Sequence, residues 1–403
     1  MSKFFRATTA RVSVLTLVAG VACVTGTSAA SAGATGEIVG AGSPNAIPGR
    51  YIVKFADDGM AAQDVHATAS TLAQRYGGDV QHEFTSVLRG FSVTMDEKSA
   101  ERMAADSAVG YVEQSGLVRA AGEQKSPPSY GIDRVDQKDL PLDDLYRYTG
   151  TGEGIVTYGI DTGVNKEHPD FEGRASYGPD LVNGDEESKD DNGHGSHTAG
   201  TIMGKTFGVA KAATHVAIKV LDQGGTGPDD TTIEALDWIV QNGQKPGVIN
   251  MSITADEHPH QAMNEATEAA SKAGFLSAAA AGNDMGDACK NSPASAPTAL
   301  TVGATGKTDK RAMFSSIGKC LDLFAPGENI TSASHNGDGS ATMSGTSMAA
   351  PHVAGAAAVY FGDHKEATVQ EAHDAIVGAA TKGKVKEPGS GSPNLLLFTG
   401  GGS

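Results

Sequence analysis

Apolar positions recur along the chain in two different rhythms, separated by a short polar connector. Between about residues 49 and 119, "RYIVKF", "FSVTM" and "VGYVEQ" read as strands, with helices over 61–76 and over 97–106, the latter behind Asp96 as N-cap. These elements predict a small α+β unit. The tract "RAAGEQKSPPSYG" that follows is small, polar and proline-bearing, and reads as a linker or a processing site. From Ile132 onward, short apolar runs alternate with helical patterns. The predicted strands are "GIVTYGID", "THVAIKVLD", "VINMSIT", "FLSAAAAG", "ALTVGAT" and "LDLFAP"; helices are predicted over 228–242, opened by Pro228, Asp229 and Asp230, and over 262–273, stopped by Gly274. Such alternation predicts an α/β domain: a mostly parallel sheet with helices on both faces.

Ahead of both units, Lys3, Arg6 and Arg11 precede an apolar run over 12–24 and then Ala30, Ser31 and Ala32. A basic start, a short apolar stretch and a small-x-small end predict a secretory signal peptide over 1–32, too short for a comfortable membrane span. The expected division is therefore a signal over 1–32, the α+β unit within 33–122 and a main domain over 123–403. The formal net charge of -17 across 403 residues excludes nucleic acid and anionic membrane as partners, because both would repel this surface. With 52 glycines and 5% aromatic residues, the composition describes a turn-rich globular protein with closely packed small side chains. Signal removal takes Cys23 away and leaves Cys289 and Cys320, which outside the cell predicts a disulfide.

Candidate chemistry begins at "SGTSMAAPHVAG", which sets Ser347 at the mouth of an apolar helix. Serine there is an ordinary helix cap or a nucleophile placed where unpaired N–H groups favour negative charge. Three further stretches bear on the choice. "YGIDTG" ends a strand in Asp161, "NGHGSHTAG" starts a helix at His194, and "SAAAAGND" ends a strand in Asn283. Catalytic groups of parallel sheets collect beyond the carboxyl ends of strands. Together the four residues make up the parts for acyl transfer: Ser347 as nucleophile, His194 as base, Asp161 to fix the imidazole, Asn283 as oxyanion donor. Taken singly, "DTG" is also a common turn and "AAAGN" a strand end. His194 and His197, three apart, are also a conceivable metal pair, although such pairs favour a spacing of four with a glutamate.

The stretches "YGIDTGV", "NGHGSHTAGT", "AAAGND" and "SGTSMAAPHVAG" resemble the signatures of the subtilisin-like serine proteases, closest to the proteinase K and aqualysin branch, over about residues 51–398. The resemblance implies a secreted serine endopeptidase, made as a self-processed precursor with the α+β unit as inhibitory propeptide. It makes His194 the catalytic histidine and leaves His197 structural. Substrates would be proteins or peptides, bound as an added strand between Gly225, Thr226, Gly227 and the edge formed by Ser252, Ile253, Thr254. Thr254 and Ala255 depart from the family's Gly-Gly. Ala280, Ala281 and Gly282 would form a wall of the P1 pocket. The resemblance also implies structural calcium, held by Pro297, Ala299 and Asp322, and at a second site by Asp133, Asp136, Gln137 and Asp143, where Leu145 replaces a further ligand. No organic cofactor and a monomer are expected. Two rivals stay open. An α/β-hydrolase esterase orders its triad Ser, Asp, His, yet little chain follows Ser347; an inactive secreted binding protein of this fold would keep the architecture without turnover.

Overall fold

The computed structural model describes residues 35–43, 46–57, 59–116, 122–255 and 258–400, so the predicted signal peptide lies outside the described residues. The chain falls into two compact units, one ending at Leu117 and one beginning at Val118.

The first unit comprises β1 (Ile38–Val39), β2 (Ala46–Phe55), α1 (Ala62–Tyr76), β3 (Asp79–Phe84), β4 (Gly90–Thr94), α2 (Glu97–Ala104) and β5 (Val109–Gly116). Its sheet runs β1-β5-β2-β4-β3, antiparallel except for the β1–β5 pair. Alternation along β2 turns Tyr51, Val53 and Phe55 inward, where they meet Phe91 and Val93 of β4, Val65 and Leu72 of α1, and Met103 of α2. Asp96 caps α2 by accepting the Ser99 N–H at 2.9 Å.

The second unit contains β6 (Gly122–Lys125), α3 (Tyr130–Val135), β7 (Leu145–Tyr148), β8 (Val156–Asp161), β9 (Ala175–Asp180), α4 (His194–Met203), β10 (Thr214–Lys219), α5 (Asp229–Asn242), β11 (Gly247–Met251), α6 (Gln261–Lys272) and β12 (Phe275–Ala280). The chain continues through β13 (Leu300–Thr305), β14 (Leu323–Pro326), β15 (Ile330–Ala333), β16 (Ser340–Met343), α7 (Thr346–Asp363), α8 (Val369–Ala379), β17 (Thr381–Lys382) and β18 (Leu395–Leu396). Nine strands form one sheet in the order β17-β18-β14-β13-β12-β11-β8-β10-β9, parallel except for β17. Strands β11, β12 and β13 are buried at every residue, as expected of parallel strands covered on both sides. One face sends Val248, Leu276 and Val302 against Ala199 and Ile202 of α4 and Ala350, Val353 and Ala357 of α7. The other sends Ile249 and Phe275 against Leu236 and Ile239 of α5 and Ala270 of α6. This is the predicted α/β architecture, a mostly parallel sheet with helices on both faces, following an α+β unit in the chain.

Strand order reverses at β8: the chain builds β10 and β9 on one side of it and β11 to β14 on the other. Connections diverge beyond the carboxyl ends of β8 and β11, which opens a crevice there. The apolar run "VINMSIT" predicts a strand to Thr254, but β11 ends at Met251. Ser252, Ile253 and Thr254 leave the sheet and border that crevice. Cys289 and Cys320 form a disulfide, with Cα atoms 5.2 Å apart. Closing a loop of this length contributes about 3–4 kcal/mol in the chain-entropy account.

Candidate active site

Asp161 is the last residue of β8 and is buried, with the Thr162 N–H donating to its Oδ1 at 2.7 Å. Helix α4 begins close to it because two glycines permit the approach. Gly193 caps the helix at φ 113°, in the left-handed region, and a Cβ on Gly195 would lie 2.1 Å from the Gly163 carbonyl oxygen. Asp190 ties the same corner together, accepting from Thr162 Oγ1 and from the N–H groups of Gly193 and Ser196, each at 2.8 Å. The result brings His194 Nδ1 to 2.8 and 3.0 Å from the two Asp161 oxygens. Burial works to lower the His194 pKa, but the Asp161 charge and hydrogen bond outweigh it and hold the imidazole above its ordinary value. With Nδ1–H committed to Asp161, Nε2 is the basic atom of the ring.

Ser347 enters from the opposite side as the second residue of α7. The amide oxygen of Asn283 accepts from the Thr346 N–H at 2.8 Å and from Thr346 Oγ1 at 3.0 Å, which leaves Asn283 Nδ2 as the donor of that side chain. Ser347 Oγ donates to the Ser252 carbonyl at 3.0 Å; among the described residues no hydrogen bond joins it to His194. Both side chains nevertheless line one cleft of about 340 Å³, with Thr162, Asn192, Leu221, Gly225, Ser252, Ile253 and Thr254. The cleft thus exposes a half-buried histidine backed by a buried aspartate, and a hydroxyl at a helix N-terminus whose preceding residue is held by a side-chain amide.

Comparison with known proteins places the chain in a family. Residues 152–395 match the Subtilase family, and residues 50–121 match Peptidase inhibitor I9. The chain belongs to the subtilase family. This subtilase is 43% identical over 380 residues to an extracellular serine proteinase of a Thermus species (strain Rt41A), covering 90% of this chain and 92% of that one. It is 39% identical over 370 residues to the subtilisin-like serine protease Pen ch 13 of Penicillium rubens, covering 88% and 91%. The crystal structure of a cold adapted subtilisin-like serine proteinase matches with a TM-score of 0.65 and 43% identity, over 67% of this chain and 97% of that one. The protein is a subtilase serine proteinase that carries an I9-type inhibitor region. Among the described residues no helix is long and apolar enough to cross a membrane.

The structure places the remaining sequence-derived residues as follows. Gly225, Ser252, Ile253 and Thr254 border the cleft. Thr226 is held to Asp222 through both its N–H and its hydroxyl, and Gly227 lines an adjoining cavity of about 370 Å³ with Ile253, Thr254 and Ala255. Ala280 and Ala281 are fully buried and Gly282 donates to Thr346 Oγ1 at 3.1 Å, so these three support the turn that presents Asn283. His197 is also fully buried, with Nε2 at 2.9 Å from the Ile330 carbonyl. Asp322 Oδ2 accepts the Thr301 N–H at 2.8 Å, and its Oδ1 faces His373 Nε2 at 3.6 Å; Pro297 is exposed and Ala299 buried. At the other acidic group, one oxygen each of Asp133 and Asp136 accepts the N–H of Asp144 and of Arg147. Asp133 Oδ1, Asp136 Oδ1 and Gln137 Oε1 are buried without a partner. Asp143 pairs with Arg147 at 2.8 Å. Burial pushes the Asp136 carboxyl up to about 7. Among the described residues no three His, Cys, Asp or Glu side chains converge as a metal cluster.

Sequence reading missed Asp190, Thr346 and Asn250. An Asp shortly before a Gly-His helix start is a signal for the first, as an N-terminal cap. Asn250 sits inside an apolar strand, and that is its only mark.

Proposed function

We propose that this subtilase is a secreted serine endopeptidase acting through Asp161, His194 and Ser347, with Asn283 as oxyanion donor, and that it processes its own precursor. The observation that carries the reading is the Asp161–His194 pair at 2.8 Å, opening onto the same cleft as Ser347. For attack, Ser347 Oγ leaves the Ser252 carbonyl and turns to His194 Nε2. That nitrogen takes the proton as Oγ bonds to the scissile carbonyl carbon. Asp161 holds the ring in the tautomer with Nδ1–H and stabilises the imidazolium. Negative charge developing on the carbonyl oxygen meets Asn283 Nδ2 and the N-terminal end of α7. His194 then gives its proton to the leaving amine, and water hydrolyses the acyl-enzyme by the same steps in reverse.

The α+β unit acts as the inhibitory propeptide, and its removal near residues 120–124 releases the mature enzyme. The basic and apolar leader over 1–32 directs export. The buried, unpartnered oxygens of Asp133, Asp136 and Gln137 suit a hard cation, since calcium prefers such oxygens and relieves the cost of burying them bare. Asp322 with the carbonyls of Pro297 and Ala299 supplies the same donor chemistry. Calcium is structural here and takes no part in the reaction. Expression of Ser347→Ala tests self-processing: the precursor should accumulate uncut near 120–124, and normal maturation of that variant would remove the claim.

A further inference from the structure

Helix α7 contains Pro351 four residues after Ser347. In an α-helix, the carbonyl of residue i accepts from the N–H of residue i+4. For Ser347 that partner is Pro351, which has no N–H to give. The main chain at the nucleophile therefore lacks its helical hydrogen bond.

A substitute arrives from the sheet. Ser252 Oγ donates to the Ser347 carbonyl at 2.8 Å, and Asn250 Nδ2 donates to Ser252 Oγ at 2.9 Å. Both residues are buried, Asn250 at 0% and Ser252 at 3% exposure. Because Asn250 donates into the hydroxyl oxygen, the single hydroxyl proton of Ser252 is directed onto Ser347. Asn250 is itself fixed in register on β11, opposite Gly159 of β8 and Ala278 of β12, both small neighbours. A donor approaching from β11 holds the Ser347 peptide toward the sheet, whereas a donor at residue 351 would hold it along the helix axis.

We propose that Asn250 and Ser252 are positioning residues for Ser347, a hydrogen-bonded chain that replaces the bond Pro351 cannot make and sets the peptide plane from which the nucleophile projects. The proposal rests on Ser347 being the nucleophile. Holding that plane matters because displacement of a reacting group by about 1 Å costs on the order of a hundredfold in rate.

The test is a double-mutant cycle, read as kcat and KM of the mature enzyme on a chromogenic peptide anilide. Ser252→Ala should lower kcat by about ten- to a hundredfold, with KM changed less than about threefold. In a Pro351→Ala background, residue 351 again has an N–H for the Ser347 carbonyl, so the same substitution should cost less than about fivefold. An equal loss in both backgrounds, or a kcat within about twofold of the parent after Ser252→Ala, would overturn the proposal. If Ser252→Ala does not mature, Asn250→Ala keeps the hydroxyl but leaves it unoriented. It should lose about three- to tenfold in kcat, again diminished by Pro351→Ala, and an undiminished loss overturns the proposal equally. Activity in Ser347→Ala would instead remove the nucleophile assignment beneath it.

Discussion

Acidification should destabilise the peptidase unit steeply between pH 6 and pH 4.5, because three histidines are buried in neutral form. His197, His215 and His352 have relative exposures of 0, 2 and 0%, and each keeps one hydrogen bond of 2.9 Å, to Ile330 O, Thr157 Oγ1 and Met348 O respectively. Burial pushes each pKa down to about 4 from an ordinary 6.5. Between those values the unfolded chain binds a proton that the folded chain refuses, so stability is present above pH 6.5 and is lost as pH falls toward 4. A difference of that size corresponds to about 3 kcal/mol per histidine over the whole window. Asp136, pushed up to about 7 by burial, titrates there with the opposite sign and offsets about one of the three protons, and Asp133, also raised by burial, offsets part of another. Near pH 5 the net uptake on unfolding is then roughly one to two protons, or about 1–3 kcal/mol per pH unit, against a total stability on the order of 5–15 kcal/mol. The assay is urea unfolding of Ser347→Ala, which cannot digest itself, in chelator at pH 7, 6, 5 and 4.5. Trp238 of α5 is the only tryptophan and reports this unit. His215→Gln should reduce the slope near pH 5 by about one proton, roughly 1.4 kcal/mol per pH unit. A midpoint that stays constant from pH 7 to 4.5, or a slope untouched by His215→Gln, would refute the reasoning.

Three further outcomes are expected. Asn283→Leu should lower kcat by about 10²–10³ with KM little changed, the scale of losing one oxyanion donor; a loss confined to KM would make Asn283 a binding residue instead. Thr254, standing where the family usually has glycine, should narrow the cleft and favour Ala or Leu over Phe and Tyr at P1. Thr254→Gly should raise the Phe to Ala ratio of kcat/KM by roughly tens-fold, and an unchanged ratio means that Thr254 does not gate the pocket. Chelator should hasten thermal inactivation, since a cation at a hundredfold excess over its Kd contributes about 2.7 kcal/mol. Asp322→Ala should remove most of that chelator effect, and no effect of chelator on the parent enzyme would end the calcium assignment.

The sheet centre was legible because its strands are continuous apolar runs: β8, β10, β12 and β13 lie within stretches picked out by pattern alone, and β11 starts one residue before its stretch. Edges were not. Strand β9 carries Gly178 and Pro179, which weaken a strand pattern, and it holds its place only by pairing with β10 across a register shift near Ala217. Strand β3, "DVQHEF", lies at the edge of the first sheet and offers no apolar alternation. Helix α8 was not predicted either, although the capping box of Thr368 and Glu371 is a local sequence mark of its start. At the site, Asp161, His194, Asn283 and Ser347 stood out because each sits where a strand or helix changes to a turn. Asp190, Asn250 and Thr346 act through partners 28 to 95 residues away or through another side chain, and such pairings exist only once the strands are in register.

Covalent trapping tests the central claim most directly: that Ser347 is a nucleophile activated by His194. The mature enzyme would be treated with a fluorophosphonate and its peptides mapped by mass spectrometry. One adduct on Ser347, with labelling slowed at least about a hundredfold in His194→Ala that has been freed of its first unit by an added protease of another class, is the predicted result. An adduct on another residue, or equal labelling of Ser347 with and without His194, would contradict it.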